Sequence, residues 1–230
     1  MVELNNAPLY PDYNVDVAVC LDVSGSMEAR MPQIKQFVCG LEEGLRTACE
    51  ERAAGLGAVR VRLITFRDYA FDENPMELTP FFALPEEKQL LIDYMDGIEC
   101  TGGGDEAENS LEALALAMRS PWNNSSPRSR QLICLFTDAD AVPLGKRAGC
   151  KDYPEGLPAD IDEFVEQWET GELGEGFTFS KRNSRLFACT PDGGAWDMFL
   201  FMDRAMCLPI DGDLGKEDLL DIMFCVISGW

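Results

Sequence analysis

The sequence predicts an α/β domain whose mostly parallel sheet carries helices on both faces, and three observations lead there. Short apolar runs alternate along the chain with segments whose apolar residues recur at helical spacing. The runs at 15–21 and 131–136 are mostly apolar, without the strict alternation of a half-exposed strand, as strands buried on both faces are. The first is followed at once by Asp22 and the second, after Thr137, by Asp138. At 230 residues, 46% of them hydrophobic, the chain is long enough to bury a full core as one domain over 1–230. Its core is expected over about 13–230 and an insertion over about 139–185, longer than a strand-to-helix connection needs.

The elements follow in order. A strand over 15–21 is followed by a helix over 31–53, where Ile34, Phe37, Val38, Leu41 and Leu45 share one face and Pro32 suits the first turn. After Gly55 and Gly57, residues 59–66 alternate with the two-residue period of a strand. Residues 76–84 continue as an edge strand or hairpin partner, and Pro80 favours the edge. A short helix over 86–98, a glycine-rich loop at 102–104 and a strong helix over 107–120 come next. Beyond the strand at 131–138, residues 139–158 read as loop and the acidic stretch 155–175 as a solvated loop and helix. A strand over 184–190 and a helix over 195–206 follow, with Trp196, Phe199 and Phe201 expected in the core. A closing helix over 216–230 is expected to begin near a capping Asp213.

Composition excludes several functions. The balance of 19 basic against 41 acidic residues, a formal charge of −22, repels phosphate backbones and anionic lipid, so neither nucleic acid nor membrane is an expected partner. No basic segment followed by an apolar run opens the chain, and no window approaches the roughly 18 apolar residues of a membrane span, so a cytoplasmic location is expected. The nine cysteines include no CxxC pair, and Cys20, Cys134, Cys189 and Cys225 lie in apolar runs, which reads as reduced core thiols. With no histidine, Ser-His-Asp and Cys-His catalysis and His-ligated zinc chemistry are ruled out.

A parallel sheet binds ligands beyond the carboxyl ends of its strands, where the strand order reverses. Asp22 and Asp138 fall at that edge, and two carboxylates there repel unless a positive group sits between them. Ser24 and Ser26 alternate with Asp22, so an extended chain points three oxygens one way, and Gly25 permits a sharp turn. Hydroxyls and carboxylates are ligands for a hard divalent cation, with Mg²⁺ expected first and Mn²⁺ or Ca²⁺ equally compatible with the donors.

The stretch "DVSGSM" at 22–27 resembles the DxSxS signature of the von Willebrand factor A domain, where it forms the metal-ion-dependent adhesion site (MIDAS). The flanking elements from about residue 13 to 230 extend the resemblance, which is to intracellular, bacterial-type members. It implies a Rossmann-like, doubly wound sheet of six strands, a site built from three loops, and a metal with one position open to a partner's carboxylate. By this match Asp22, Ser24 and Ser26 are first-loop ligands and Asp138 the third-loop ligand. The second loop departs from the family's threonine: counting back from Leu111 reaches Asp105, with Thr101 as the alternative ligand.

The expected function is therefore a metal-dependent protein-interaction module, not an enzyme, that binds an Asp or Glu of a partner protein as a regulatory or assembly subunit. Two other readings stand beside it. "LFTDADAV" resembles the nucleophile loop of haloacid-dehalogenase-type phosphohydrolases, with Asp138 and Asp140 as the acids, Thr190 as the hydroxyl, and Asp213 and Asp218 as distal acids. A structural scaffold with an empty metal site is the other.

Overall fold

The computed structural model describes residues 12–104, 107–210 and 222. The first strand, β1 (Tyr13–Asp22), leads through a 3₁₀ turn at Gly25–Ala29 into α1 (Met31–Glu51) and then β2 (Leu56–Phe66). The 76–84 region divides into β3 (Met76–Leu78) and β4 (Phe82–Leu84) and is followed by α2 (Lys88–Asp96). Next come β5 (Ala107–Glu108), α3 (Ser110–Met118), β6 (Ser129–Phe136) and β7 (Asp140–Ala141). The described chain closes with α4 (Ile161–Thr170), β8 (Ser184–Thr190) and β9 (Ala205–Pro209).

The main sheet runs β3-β2-β1-β6-β8-β9, with β4 also on β2. Because β3 pairs with Ile64–Phe66 and β4 with Val59–Val61, both antiparallel, they share one edge and the sheet is six positions wide. Between them Thr79 keeps the pairing by accepting the Leu63 N–H on its side-chain oxygen. All other pairings in the main sheet are parallel.

Side-chain parity divides the core. Val15, Val17, Val19 and Leu21 of β1 join Leu132, Cys134 and Phe136 of β6 beneath α1 and α2. The alternate residues Ala18, Cys20, Ile133 and Leu135 face α3 and α4. Buried strands covered on both sides thus explain the mostly apolar runs. Part of the 139–185 stretch joins this core, since α4 buries Phe164 and Trp168. Asp160 caps α4 by accepting the Glu163 N–H, and Gly171 ends it in the left-handed conformation.

Two expectations need correction. No α-helix spans 195–206: a 3₁₀ turn over Gly194–Leu200 gives way to β9. Trp196 and Phe199 are buried, as expected, but Phe201 is 85% exposed. The apolar spacing that suggested a helix serves a single packed turn equally well, with Trp196 and Phe199 stacked at 5.7 Å. Of the closing helix only Ile222 is described, and it is helical and buried against the α1 face; Asp213, Asp218 and Cys225 lie outside the described residues.

Candidate metal centre

Strand order reverses between β1 and β6: the chain passes from β1 to β2 on one side and returns across β1 to β6 on the other. The carboxyl ends of these two strands therefore part into a crevice, with Asp138 at its wall and Asp22 buried beneath it at the end of β1.

Asp22 ends β1 and is fully buried. Its Oδ1 accepts the Ser24 N–H at 2.8 Å and its Oδ2 accepts the Thr137 hydroxyl at 2.6 Å. Burial pushes the Asp22 carboxyl above its ordinary value against the pull of these hydrogen bonds, and nearby Asp138 adds to the rise. The chain does not stay extended past Ser24. It turns into the 3₁₀ segment, which brings the Ser24 and Ser26 hydroxyl oxygens within 3.1 Å of each other. Ser26 then donates to Asp138 Oδ1 at 2.7 Å. The turn thus gathers what simple alternation would have spread along a strand.

A cleft of about 350 Å³ opens between these groups and the glycine loop. Gly25 N–H donates to the Gly102 carbonyl, closing the two loops on each other. Gly103 has φ of +79°, and a Cβ there would meet Glu108 Oε1 at 2.7 Å and Ser24 Cβ at 3.0 Å. Only glycine lets the buried Glu108 and Ser24 approach so closely at the cleft wall. Hydroxyls and carboxylates meeting at a strand-order reversal fit a hard divalent cation. Among the described residues no group of three or more cysteine, aspartate and glutamate side chains is poised to hold a metal.

A family model, the von Willebrand factor A domain, matches residues 16–148, more than half of the chain. The chain belongs to the von Willebrand factor A domain family. Solved structures agree on the fold. A von Willebrand factor type A protein from Catenulispora acidiphila superposes with a TM-score of 0.55 at 12% identity over 94% of this chain and 43% of its own. The pilus adhesin SpaC from Lactobacillus rhamnosus GG gives 0.54 at 12% identity over 92% of this chain and 30% of its own. Proximal thread matrix protein 1 from the mussel byssus, described with a zinc-occupied MIDAS motif, gives 0.52 at 13% identity over 95% and 48%. The chain thus spans less than half the length of these structures. No curated protein sequence matches it. Von Willebrand factor A domains are typically protein-interaction modules.

Not every residue expected in this A domain's site comes together. Asp22, Ser24, Ser26 and Asp138 do, through the hydrogen bonds above. Thr101 does not line the cleft. Its N–H donates to the Val23 carbonyl, and it borders a neighbouring cavity of about 420 Å³ with Arg67 and Tyr94. Arg67 fixes that loop by donating to the carbonyls of Thr101, Val23 and Glu99. Asp105 lies outside the described residues. Asp140 accepts the N–H groups of Ala141 and Ala195, and Thr190 is buried with its hydroxyl on the Pro191 carbonyl and Cys207 Sγ. The eight described cysteines are all free thiols.

Three residues escaped the sequence reading. Thr137 holds Asp22, and its hydroxyl directly before Asp138 was the available signal. Glu108 reaches the cleft wall through a two-residue pairing of β5 with β7. Arg30 donates to Asp138 Oδ2 at 3.1 Å across 108 residues, and nothing local announces it.

Proposed function

We propose that this A domain is a metal-dependent protein-interaction module without catalysis of its own. Asp22, Ser24, Ser26 and Asp138 are the residues that would hold a divalent cation, Mg²⁺ first, with Asp105 as the contribution of the second loop. When bound, the cation supplies positive charge for an Asp or Glu of a partner protein. The chain's own part is positioning: Thr137 and the Ser24 N–H orient Asp22, and Ser26 orients Asp138. The observation that carries the reading is this hydrogen-bonded set of hydroxyls and carboxylates gathered where strand order reverses. The zinc-occupied MIDAS of the mussel byssus protein supports the same reading for a related fold.

The net charge of −22 argues against nucleic acid as the partner. Among the described residues no helix is long and apolar enough to cross a membrane. We place the domain in the cytoplasm as a regulatory or assembly subunit. Asp140 Oδ1 accepts two backbone N–H groups, the Thr190 hydroxyl meets the Pro191 carbonyl and Cys207 Sγ, and neither residue lines the cleft, which weighs against the phosphohydrolase reading.

The test compares the unfolding midpoint of chelator-treated protein with and without about millimolar Mg²⁺, for wild type and Ser26→Ala, because an ion that binds only the native state must raise the midpoint. A rise in wild type that shrinks in Ser26→Ala is expected, together with partner capture abolished by EDTA. An unchanged midpoint in wild type with Mg²⁺, Mn²⁺ and Ca²⁺ would favour a scaffold with an empty site.

A further inference from the structure

Arg30 occupies a place that the metal reading does not by itself explain. It is the residue between the 3₁₀ turn at Gly25–Ala29 and α1, so its backbone is held by two helical segments. Its Nη1 lies 3.1 Å from Asp138 Oδ2, while Ser26 donates to the other oxygen of the same carboxylate at 2.7 Å. The chain itself therefore engages both oxygens of a candidate ligand, one of them with a cation. The pair is partly shielded, with side chains 29% and 13% exposed, so water screens it less than an open surface pair. Basic residues are scarce in this chain, 19 against 41 acidic, yet one is aimed at this carboxylate.

We infer that Arg30 is the resident counter-cation of the cleft, neutralising Asp138 when no divalent ion does and competing with the ion for that carboxylate. The inference rests on the metal reading proposed above. It assigns the site a regulation that its ligands alone lack, because uptake of the ion becomes an exchange of guanidinium for dication. Two consequences of opposite sign follow. Without an ion, the guanidinium relieves repulsion between Asp138 and Asp22, so its loss weakens the fold. With an ion, the same positive charge repels the newcomer and holds its ligand, so its loss tightens binding. A unit charge a few ångström from a dication is worth about tenfold in affinity even with strong solvent screening.

The experiment titrates chelator-stripped wild type, Arg30→Gln, Arg30→Met and Arg30→Lys with MnCl₂ and MgCl₂ by calorimetry, and records each ion-free unfolding midpoint. The neutral variants are expected to unfold at lower temperature without ion and to bind Mn²⁺ about tenfold more tightly than wild type. Arg30→Lys, which keeps the charge, is expected within about threefold of wild type. Equal or weaker binding by both neutral variants, with wild type binding normally, would overturn the role of Arg30 and leave the metal site standing. Equal tightening by Arg30→Lys would also overturn it, since packing rather than charge would then be the cause. If neither wild type nor any variant takes up Mn²⁺ or Mg²⁺, the metal reading falls and the inference falls with it. Arg30→Met serves if Arg30→Gln shows no cooperative transition.

Discussion

Replacing Thr137 with valine keeps the side chain's shape and deletes one hydroxyl. Thr137 is fully buried, donates to Asp22 Oδ2 over 2.6 Å and accepts the Ala139 N–H at 3.1 Å. Valine does neither, and no solvent reaches the stranded Asp22 oxygen. A hydrogen bond to a charged group contributes about 1.5–3 kcal/mol, so the ion-free variant is expected to lose about 2 kcal/mol. For a domain of this size that corresponds to a midpoint lower by roughly 4–8 °C. If Asp22 is a ligand, its loosened carboxylate also weakens ion binding, by about 10–100-fold for a group that orients a ligand. The assay is urea unfolding of chelator-stripped protein followed by calorimetric titration with Mg²⁺. Thr137→Ser, which keeps the hydroxyl, should recover most of both losses. A Thr137→Val protein within about 0.5 kcal/mol of wild type, with unchanged ion affinity, would refute the claim that Thr137 holds Asp22 in its working position.

Three further outcomes are expected. Gly103→Ala places a Cβ at φ of +79° and 2.7 Å from Glu108 Oε1, so it should cost about 1–3 kcal/mol in urea unfolding and shrink the Mg²⁺-induced rise; a neutral result would mean the loop yields freely. Asp68→Asn sets a neutral amide against the Arg147 guanidinium in place of the fully buried carboxylate on which it is bidentate at 2.9 and 2.5 Å. A loss of about 3 kcal/mol with faster amide exchange over 145–153 is expected, and a loss under about 1 kcal/mol would contradict it. Glu112 is buried, and that burial is the chief cause raising its carboxyl above the ordinary value; Asn109 and Tyr153 oppose the rise and Asp68 adds to it. A carboxyl raised by folding stabilises the native state below its unfolded value, and that stability is lost as pH climbs through the folded value. Glu112→Gln should therefore gain on wild type as pH rises from about 4 to about 8, read as urea midpoints, whereas a difference that stays constant with pH would argue against a buried ionisable group here.

Sequence and structure divide the site along a physical line. Asp22, Ser24, Ser26 and Asp138 were legible because each follows a strand that announces itself by a mostly apolar run, and strand ends in a parallel sheet share one edge. The 195–206 segment misled because Trp196, Phe199 and Met202 recur as in a helix, and periodicity over so few residues does not separate one packed turn followed by a strand from a continuous helix. How the serines reach Asp138 also lay beyond the pattern, since the 3₁₀ turn rather than an extended chain joins their oxygens.

Local order of apolar and polar residues, acting through burial, determined by itself the doubly wound sheet, its two covered faces and the edge that bears the acids. Only tertiary structure decided which groups meet there. Thr137 reaches Asp22 across 115 residues and Arg30 reaches Asp138 across 108, contacts that exist because β1 and β6 lie side by side. Hydrophobic periodicity is written into neighbouring residues and survives in one dimension. A hydrogen bond between side chains of distant strands depends on positions within fractions of an ångström, which only the packed sheet defines.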